Sequence, residues 1–247
     1  MAINYKKIAI LFSLCAVTAY AEVNEEAGIS ADQRYLYLGI DGGITEPVIR
    51  KFRHERSGSD FVLKGSEMFS VKVGYSFYPQ IAIGVIATYQ PKYRLHYTLP
   101  AQTLSSGAII PETPGNTKVL TNAYMVNMTY DLAQVKGITP SVILAVGLAQ
   151  VQIKPTSSKW DAINADYFRI NKNNNNCFAW QMGVGLSKDL TSNISLNMTA
   201  KLQTAYDIKI KYETLDITTQ SFVPATPIKK TIGVGEFTIG LTYKLPI

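Results

Sequence analysis

Two histidines are the first residues to examine for catalysis, because imidazole is the side chain that most often moves protons near neutral pH. His54 lies in a charged segment, and His96 precedes the hydroxyl of Thr98 by two residues. A hydrolase of this type needs a nucleophile, a base and an acid that orients the base. No acidic residue lies near His96 in the sequence. We therefore expect a surface histidine, and we predict that the protein is not an enzyme.

The segment from Pro47 to Lys64 is the most charged part of the chain, and its cations are interleaved with Phe52 and Phe61. One interpretation is a contact surface for anionic partners. The alternative, of at least equal weight, is a solvated loop whose cations lie over lipid head groups. The candidate contact residues are Arg50, Lys51, Phe52, Arg53, Arg56 and Lys64.

A third polar group recurs at alternate positions of apolar stretches. On strands, such a period of two places these side chains on one face. They are Asp41, Lys72, Gln181, Lys201, Glu236 and Lys244. Buried charges must be paired, so we expect Lys72 or Lys201 to pair with Asp41 or Glu236. The sequence leaves the partners open, and a gated ion path is the alternative to a polar plug.

Eight segments carry this alternation and predict strands. The last is typical: Phe237, Ile239, Leu241 and Tyr243 alternate with Thr238, Gly240, Thr242 and Lys244. The segment Val142 to Leu148 is apolar on both faces. The predicted strands cover residues 35–44, 69–77, 81–89, 124–130, 142–148, 178–186, 194–202 and 237–247. The third is predicted to extend towards Leu99.

The connections alternate between short and long. Three are short, and four of roughly 20 residues span residues 45–67, 99–120, 154–176 and 209–232. This asymmetry is typical of outer-membrane barrels, in which periplasmic turns are short and outer loops are long. Aromatic residues at both ends of the predicted strands match the two girdles of such barrels. We predict an all-β, eight-stranded antiparallel transmembrane β-barrel over residues 34–247.

The amino-terminal residues predict export. Lys6 and Lys7 precede an apolar stretch from Ile8 to Ala19, and Ala19-Tyr20-Ala21 fits a cleavage site. We expect residues 1–21 to be a signal peptide and residues 22–33 to be a short periplasmic segment. The net charge of +6 falls to +4 without the two lysines, which does not favour nucleic-acid binding.

The cysteines limit the chemistry further. Only Cys177 follows the predicted cleavage site, so the sequence indicates neither an internal disulfide nor a cysteine metal cluster. We expect Cys177 to face the barrel interior, and we predict no cofactor and no metal site.

The chain resembles the small eight-stranded outer-membrane barrels of the OmpA/OmpX type, and most of all the short surface antigens and adhesins of alphaproteobacteria, including rickettsial ones. The likeness rests on Tyr35 to Gly43, on Phe178 to Ser187 and on Asn193 to Leu196. The end of the chain resembles the signal that the barrel-assembly machinery reads, with Thr238, Gly240, Tyr243 and Leu245 at the matching positions. Ile247 departs from the aromatic residue that is usual there.

The resemblance implies a surface protein of the outer membrane of a Gram-negative cell. We expect an adhesin-like or structural role through its outer loops. The second alternative is a narrow, porin-like pore for small solutes, and the third is a lipid-modifying outer-membrane enzyme. The implied partners are outer-membrane lipid or lipopolysaccharide, the barrel-assembly machinery, and host surface proteins or glycans.

Overall fold

The computed structural model describes residues 34–48, 51–53, 60–99, 101–103, 109–160, 165–216 and 221–247. The predicted signal peptide and the predicted periplasmic segment lie outside these residues. Within the described ranges, no helix is long and apolar enough to cross a membrane.

Regular structure in the described residues is β-strand. Eight long strands are β1 (Tyr35–Pro47), β2 (Ser66–Tyr78), β3 (Ile81–Leu99), β4 (Thr113–Asp131), β5 (Ile138–Ile153), β6 (Asn173–Asp189), β7 (Ile194–Ile210) and β8 (Ile228–Pro246). Eight shorter strands are Lys51–Arg53, Asp60–Lys64, Gln102–Thr103, Ile109–Ile110, Thr156–Trp160, Ala165–Ile170, Tyr212–Asp216 and Ser221–Pro224.

The eight long strands close into an antiparallel barrel, because each pairs with its sequence neighbours and β8 pairs with β1. The closing ladder runs from Tyr35 opposite Pro246 to Pro47 opposite Val234. The predicted fold and the predicted closure of the last strand against the first are both confirmed. We call the end with the long connections the outer end, and the other the inner end.

The ladder also fixes how far the strands tilt. Cross-strand partners traced once around the barrel lead from Ala205 on β7 back to Ser195, ten residues earlier on the same strand. A stagger of ten residues at ~3.3 Å each, over eight strand widths of ~4.8 Å, corresponds to a tilt of about 40°. One residue along a strand therefore rises about 2.5 Å along the barrel axis.

The two faces of the wall have the predicted polarity. Ile40 is 59% exposed and Phe69 is 57% exposed on the outside, whereas Asp41 and Ser70 are only 6% and 3% exposed on the inside. Cys177 faces inward and is buried, as predicted. The outward aromatic residues form an upper edge at Phe69, Tyr89, Tyr124, Phe178 and Phe237 and a lower edge at Tyr78, Tyr130 and Tyr243.

The prediction of four long loops is wrong for much of their length, because strands continue through these segments. Residues 113–120 belong to β4, and Asp60–Lys64 pairs with the outer part of β3. A separate four-stranded sheet lies at the outer end and consists of Thr156–Trp160, Ala165–Ile170, Tyr212–Asp216 and Ser221–Pro224. The predicted extension of the third strand to Leu99 is confirmed.

Two β-bulges reverse the faces above the lipid-facing band. The register shifts between Gln90 and Tyr93 on β3, and again between Ala205 and Ile208 on β7. Because side chains alternate along a strand, one extra residue exchanges inside for outside. Odd-numbered residues of β3 therefore face outward up to Tyr89 and inward from Tyr93 to Leu99.

The run of four asparagines favours turns and exposure by its residue type, but the structure places it in a strand, and only alternate side chains are exposed. Residues 173–176 lie in β6, and Asn173 and Asn175 are buried. Both side-chain amides donate to the backbone carbonyl of Lys209, and the Asn175 bond is 3.0 Å long. Direct pairing of β6 with β7 stops at Ala179 opposite Ala205, so the two asparagines bridge the strands above that point.

A lysine placed on either face of β8 tests the orientation of the wall. Leu241→Lys puts a charge against lipid, and we expect it to lower the free energy of unfolding by about 2–4 kcal/mol. Thr242→Lys faces the polar lumen, where Asn197 already donates a 2.8 Å hydrogen bond to the Thr242 hydroxyl, and should cost much less. Urea unfolding in lipid vesicles measures both variants, and equal losses would contradict the assigned faces.

Candidate functional site

The interior of the barrel is organised around the carboxylate of Glu236. Its Oε1 accepts a 2.8 Å hydrogen bond from Gln90 Nε2, and its Oε2 accepts one of 2.7 Å from Gln181 Nε2. The ammonium of Lys201 lies 3.7 Å from Oε2, and the side chains of Lys201 and Glu236 are 3% and 0% exposed. Three donors from three strands therefore converge on one fully buried acid.

The register of the ladder explains why these groups meet. Lys201 and Glu236 are direct cross-strand partners on β7 and β8. Gly183 lies opposite Lys201 on β6, and a methyl group added there would come within 2.6 Å of Lys201 Cγ. The absent side chain of Gly183 leaves the space that the lysine stem occupies.

A second ion pair lies closer to the inner end. Lys72 Nζ is 3.2 Å from Asp41 Oδ1, and the Ser70 hydroxyl donates a 3.2 Å hydrogen bond to Oδ2. Methyl groups added at Gly39 or Gly240 would collide with Lys72 or Asp41 respectively. Glycine again faces the charged side chains, so the packing of the lumen depends on where side chains are missing.

Lys244 was predicted to belong to the lumen set, and the structure places it at the inner rim. Its ammonium lies 2.7 Å from Asp189 Oδ1, which also accepts a 2.5 Å hydrogen bond from the Ser195 hydroxyl. The same ammonium is 5.7 Å from the ring centroid of Tyr35, within cation–π range. Asp189 belongs to a predicted turn, so the alternation of the strands did not point to it.

The outer half of the barrel has an apolar interior that the sequence analysis missed. The rings of Phe61 and Tyr97 lie 6.2 Å apart, those of Tyr97 and Phe168 5.2 Å, and those of Phe168 and Tyr212 5.4 Å. The Tyr97 hydroxyl forms a 2.9 Å hydrogen bond with Ser158. Burial raises the pKa of Tyr97, so this hydroxyl is neutral at physiological pH and can share the bond.

Between the polar plug and the apolar interior, little space is left. A cavity of about 20 Å³ is lined by residues that include Gln90, Tyr93 and Gln203, which is room for about one water molecule. An eight-stranded barrel is just wide enough for side chains to fill it. At this level the lumen is therefore filled by side chains.

The predicted contact residues of the first long connection are only partly described. Lys51, Phe52 and Arg53 form a short strand opposite Asp60–Val62, and Lys64 is exposed at the outer wall. Arg50 and Arg56 lie outside the described residues. Phe61 is 1% exposed, so it belongs to the apolar interior and cannot serve as a surface contact.

The histidine that prompted the search for catalysis lies on the outer wall. His96 is opposite Val62, and Asp60 is opposite Thr98, two residues further along β3, so the fold brings an acid nearer than the sequence indicated. Burial, followed by the charges of Lys64 and Arg94, lowers the pKa of His96. Two cations next to the ring disfavour the imidazolium that a general base must form. His54 lies outside the described residues.

The four residues of the predicted assembly signal divide between the two faces. Thr238 and Gly240 face the lumen, and the Thr238 hydroxyl forms a 2.6 Å hydrogen bond with Thr199. Tyr243 and Leu245 face outward, each 49% exposed. That the barrel-assembly machinery recognises these four residues stays a prediction.

Together these features define the class: an eight-stranded antiparallel transmembrane β-barrel with a filled lumen and an elaborated outer end. No protein-family model matches the chain. The chain is 51% identical over 179 residues to an uncharacterized protein of Rickettsia prowazekii (strain Madrid E). The match covers 72% of this chain and 99% of that protein. The chain belongs to the family of this rickettsial protein.

Solved outer-membrane barrels also match. OprG from Pseudomonas aeruginosa is 11% identical with a TM-score of 0.49, covering 87% of this chain and 97% of that chain. The outer membrane protease OmpT from Escherichia coli is 10% identical with a TM-score of 0.48, covering 90% and 99%. Neisserial surface protein A is 12% identical with a TM-score of 0.43, covering 85% and 96%. At such values these likenesses carry no conclusion about activity or sites.

Breaking the buried ion pair should strongly destabilise the barrel. Lys201→Met leaves Glu236 charged in a dry site, and we expect a loss of about 3–5 kcal/mol in the free energy of unfolding. Lys72→Met should cost less, because Lys72 keeps 17% of its side chain exposed. Adding Glu236→Gln to Lys201→Met removes the orphaned charge and should recover much of the loss. If the single and double variants unfold alike in urea, the unpaired charge of Glu236 is not what destabilises the single variant.

The filled lumen predicts how the protein behaves in a planar lipid bilayer. We expect the full chain to show no steady conductance, because the polar plug and the apolar interior leave no continuous water path. Single-channel recording measures this directly, with a known porin as the positive control. A stable, reproducible unit conductance would contradict the packed lumen and favour the pore alternative.

Proposed function

We propose that the protein is an outer-membrane surface protein that acts in attachment or recognition through its outer end. The observation that carries this proposal is the length of the strands. A tilted strand needs only about 9–11 residues to span a bilayer, whereas β3, β4 and β8 each have 19. Close to half of each of these strands is therefore not needed for crossing the membrane.

The extended part of the strands is built as a folded unit. It has an apolar interior and a four-stranded sheet at the outer end, so it presents a defined surface. Arg169 lies 4.1 Å from the ring centroid of Phe222, which links two strands of that sheet. A defined surface on a packed barrel supports recognition better than transport, and a purely structural role in the membrane is the near alternative.

The remaining expectations complete the proposal. The chain reaches the outer membrane after cleavage of a signal peptide at residues 1–21, and the barrel-assembly machinery inserts it by its terminal strand. The outer end faces away from the cell. The contact surface includes the first long connection, whose cations suit anionic groups on host proteins or glycans. No step of an enzyme reaction and no cofactor forms part of the proposal.

Neutralising the first long connection tests recognition. Removing residues 47–64 as a block would also remove Phe61 and Leu63, which are buried in the apolar interior, so substitution is the cleaner design. We expect Arg50→Gln/Lys51→Gln/Arg53→Gln/Arg56→Gln to lower binding of the nanodisc-embedded protein to cultured mammalian cells by roughly tenfold, as loss of several exposed ion pairs would.

The matched control carries the same change of net charge at other exposed positions: Lys159→Gln, Lys172→Gln, Lys188→Gln and Lys211→Gln. It should bind cells nearly as well as the unaltered protein. Flow cytometry with fluorescent nanodiscs measures both variants, and heat-modifiable migration on detergent gels checks that each barrel is folded. Equal binding by all three proteins would show that the first long connection is not the contact surface.

A further inference from the structure

A row of four cations crosses neighbouring strands on the outer wall. Lys64 lies directly opposite Arg94 on β3, and Arg94 lies directly opposite Lys118 on β4. Lys154, just beyond β5, donates its backbone N–H to the Lys118 carbonyl at 2.9 Å. All four side chains are exposed.

Two further cations lie opposite each other on the far side of the barrel. Lys209 on β7 lies directly opposite Lys229 on β8, and both side chains are exposed. An open groove of about 390 Å³ lies beside them and is lined by Lys209, Lys211, Lys229 and residues 173–176 of β6. We call Lys64, Arg94, Lys118, Lys154, Lys209 and Lys229 the basic collar.

The basic collar is electrostatically unfavourable by itself. Like charges directly opposite each other on neighbouring strands are destabilising. The ion pairs of the described residues involve Lys72, Lys92, Arg169, Lys201 and Lys244, and no member of the collar. The charges of Lys64 and Arg94 also lower the pKa of His96, after burial, so both cations act on the same part of the wall. Anions bound along the row would remove the repulsion.

The height of the collar indicates which anions these are. Lys118 is six residues above the outward Tyr124, and Lys154 is six residues above the outward Leu148. Arg94 is five residues above Tyr89, including the bulge. At ~2.5 Å per residue these cations lie roughly 10–15 Å beyond the aromatic edge. Ordinary phospholipid head groups occupy only about 5–8 Å beyond the hydrocarbon.

The collar also keeps a similar height on strands that are staggered. Each step from β3 to β5 moves the charged position outward by about 3 Å, so Arg94, Lys118 and Lys154 lie within about 6 Å of one another along the barrel axis. A band of cations this narrow in height, on several neighbouring strands, suits a layer of molecules around the barrel better than a single soluble ligand.

We propose that the basic collar binds phosphate groups on the sugars of a glycolipid in the leaflet that surrounds the outer end. The proposal rests on the outward orientation given under the proposed function. Lysine and arginine donate charge-assisted hydrogen bonds to phosphate oxygens, and Asn174 and Asn176 offer amides to sugar hydroxyls at the groove. The bound glycolipid holds the outer wall in place and offsets the repulsion within the row.

The test compares thermal unfolding in two bilayers. The full chain is placed in phosphatidylcholine nanodiscs with or without phosphorylated lipopolysaccharide. The collar variant is Arg94→Gln/Lys118→Gln, and the control with the same charge change is Lys136→Gln/Lys188→Gln, whose side chains are exposed at the inner end. Dephosphorylated lipopolysaccharide serves as the second control.

We expect the order of the Tm values of the unaltered protein and the collar variant to differ between the two bilayers. In phosphatidylcholine alone the collar variant should have a Tm equal to or above that of the unaltered protein, because a like-charge contact has been removed. Lipopolysaccharide should raise the Tm of the unaltered protein and of the control variant, and the rise should fall by at least about half in the collar variant. The dephosphorylated form should give no rise.

An equal rise in the collar and control variants would overturn the proposal, and so would an equal rise with dephosphorylated lipopolysaccharide. A lower Tm of the collar variant in phosphatidylcholine would likewise overturn it, since the two cations would then be structural. The first long connection between residues 48 and 59 is intact in the collar variant. Failure here is therefore distinguishable from failure of the cell-binding test.

Discussion

Closure of the hydrogen-bonded ladder is the constraint on which the rest of this structure depends. A strand in lipid cannot leave its backbone groups unpaired, and only a closed ring removes the two open edges. In this chain the ring closes between β1 and β8 with a stagger of ten residues. That stagger fixes which residues lie opposite each other, how far the strands tilt and how wide the lumen is.

The polar plug follows from this geometry. Eight strands leave a lumen that side chains fill, so Lys201 and Glu236 cannot be solvated and must satisfy each other with help from Gln90 and Gln181. Long charged side chains need room, and glycine at positions 39, 183 and 240 provides it. The charges, the amides and the missing side chains thus fit one another and fill the lumen. These polar groups have a structural role here, although such groups in a lumen would otherwise suggest transport.

Above the lipid-facing band the same strands serve a different purpose. Two bulges turn apolar residues inward, so the outer part gains an apolar interior and an exterior that carries cations. The membrane no longer supplies the apolar environment there, and the barrel wall has the polarity of a soluble protein. This change of polarity along a single strand couples the membrane anchor to the recognition surface that we propose.

The sequence by itself determined the strands of the lipid-facing band, their inward and outward residues and the order of closure. The reason is that side chains alternate with a period of two along a strand, and a wall with lipid on one side allows only one assignment of its two faces. It also identified Asp41, Lys72, Lys201 and Glu236 as interior charges. Only the tertiary structure decided their pairing, because partners depend on the stagger between strands distant in sequence, such as Gln90 and Glu236. The apolar outer interior was hidden for a related reason. Tyr93, Leu95 and Tyr97 continue the phase of the lipid-facing residues, and one extra residue at the bulge reverses the face that they occupy.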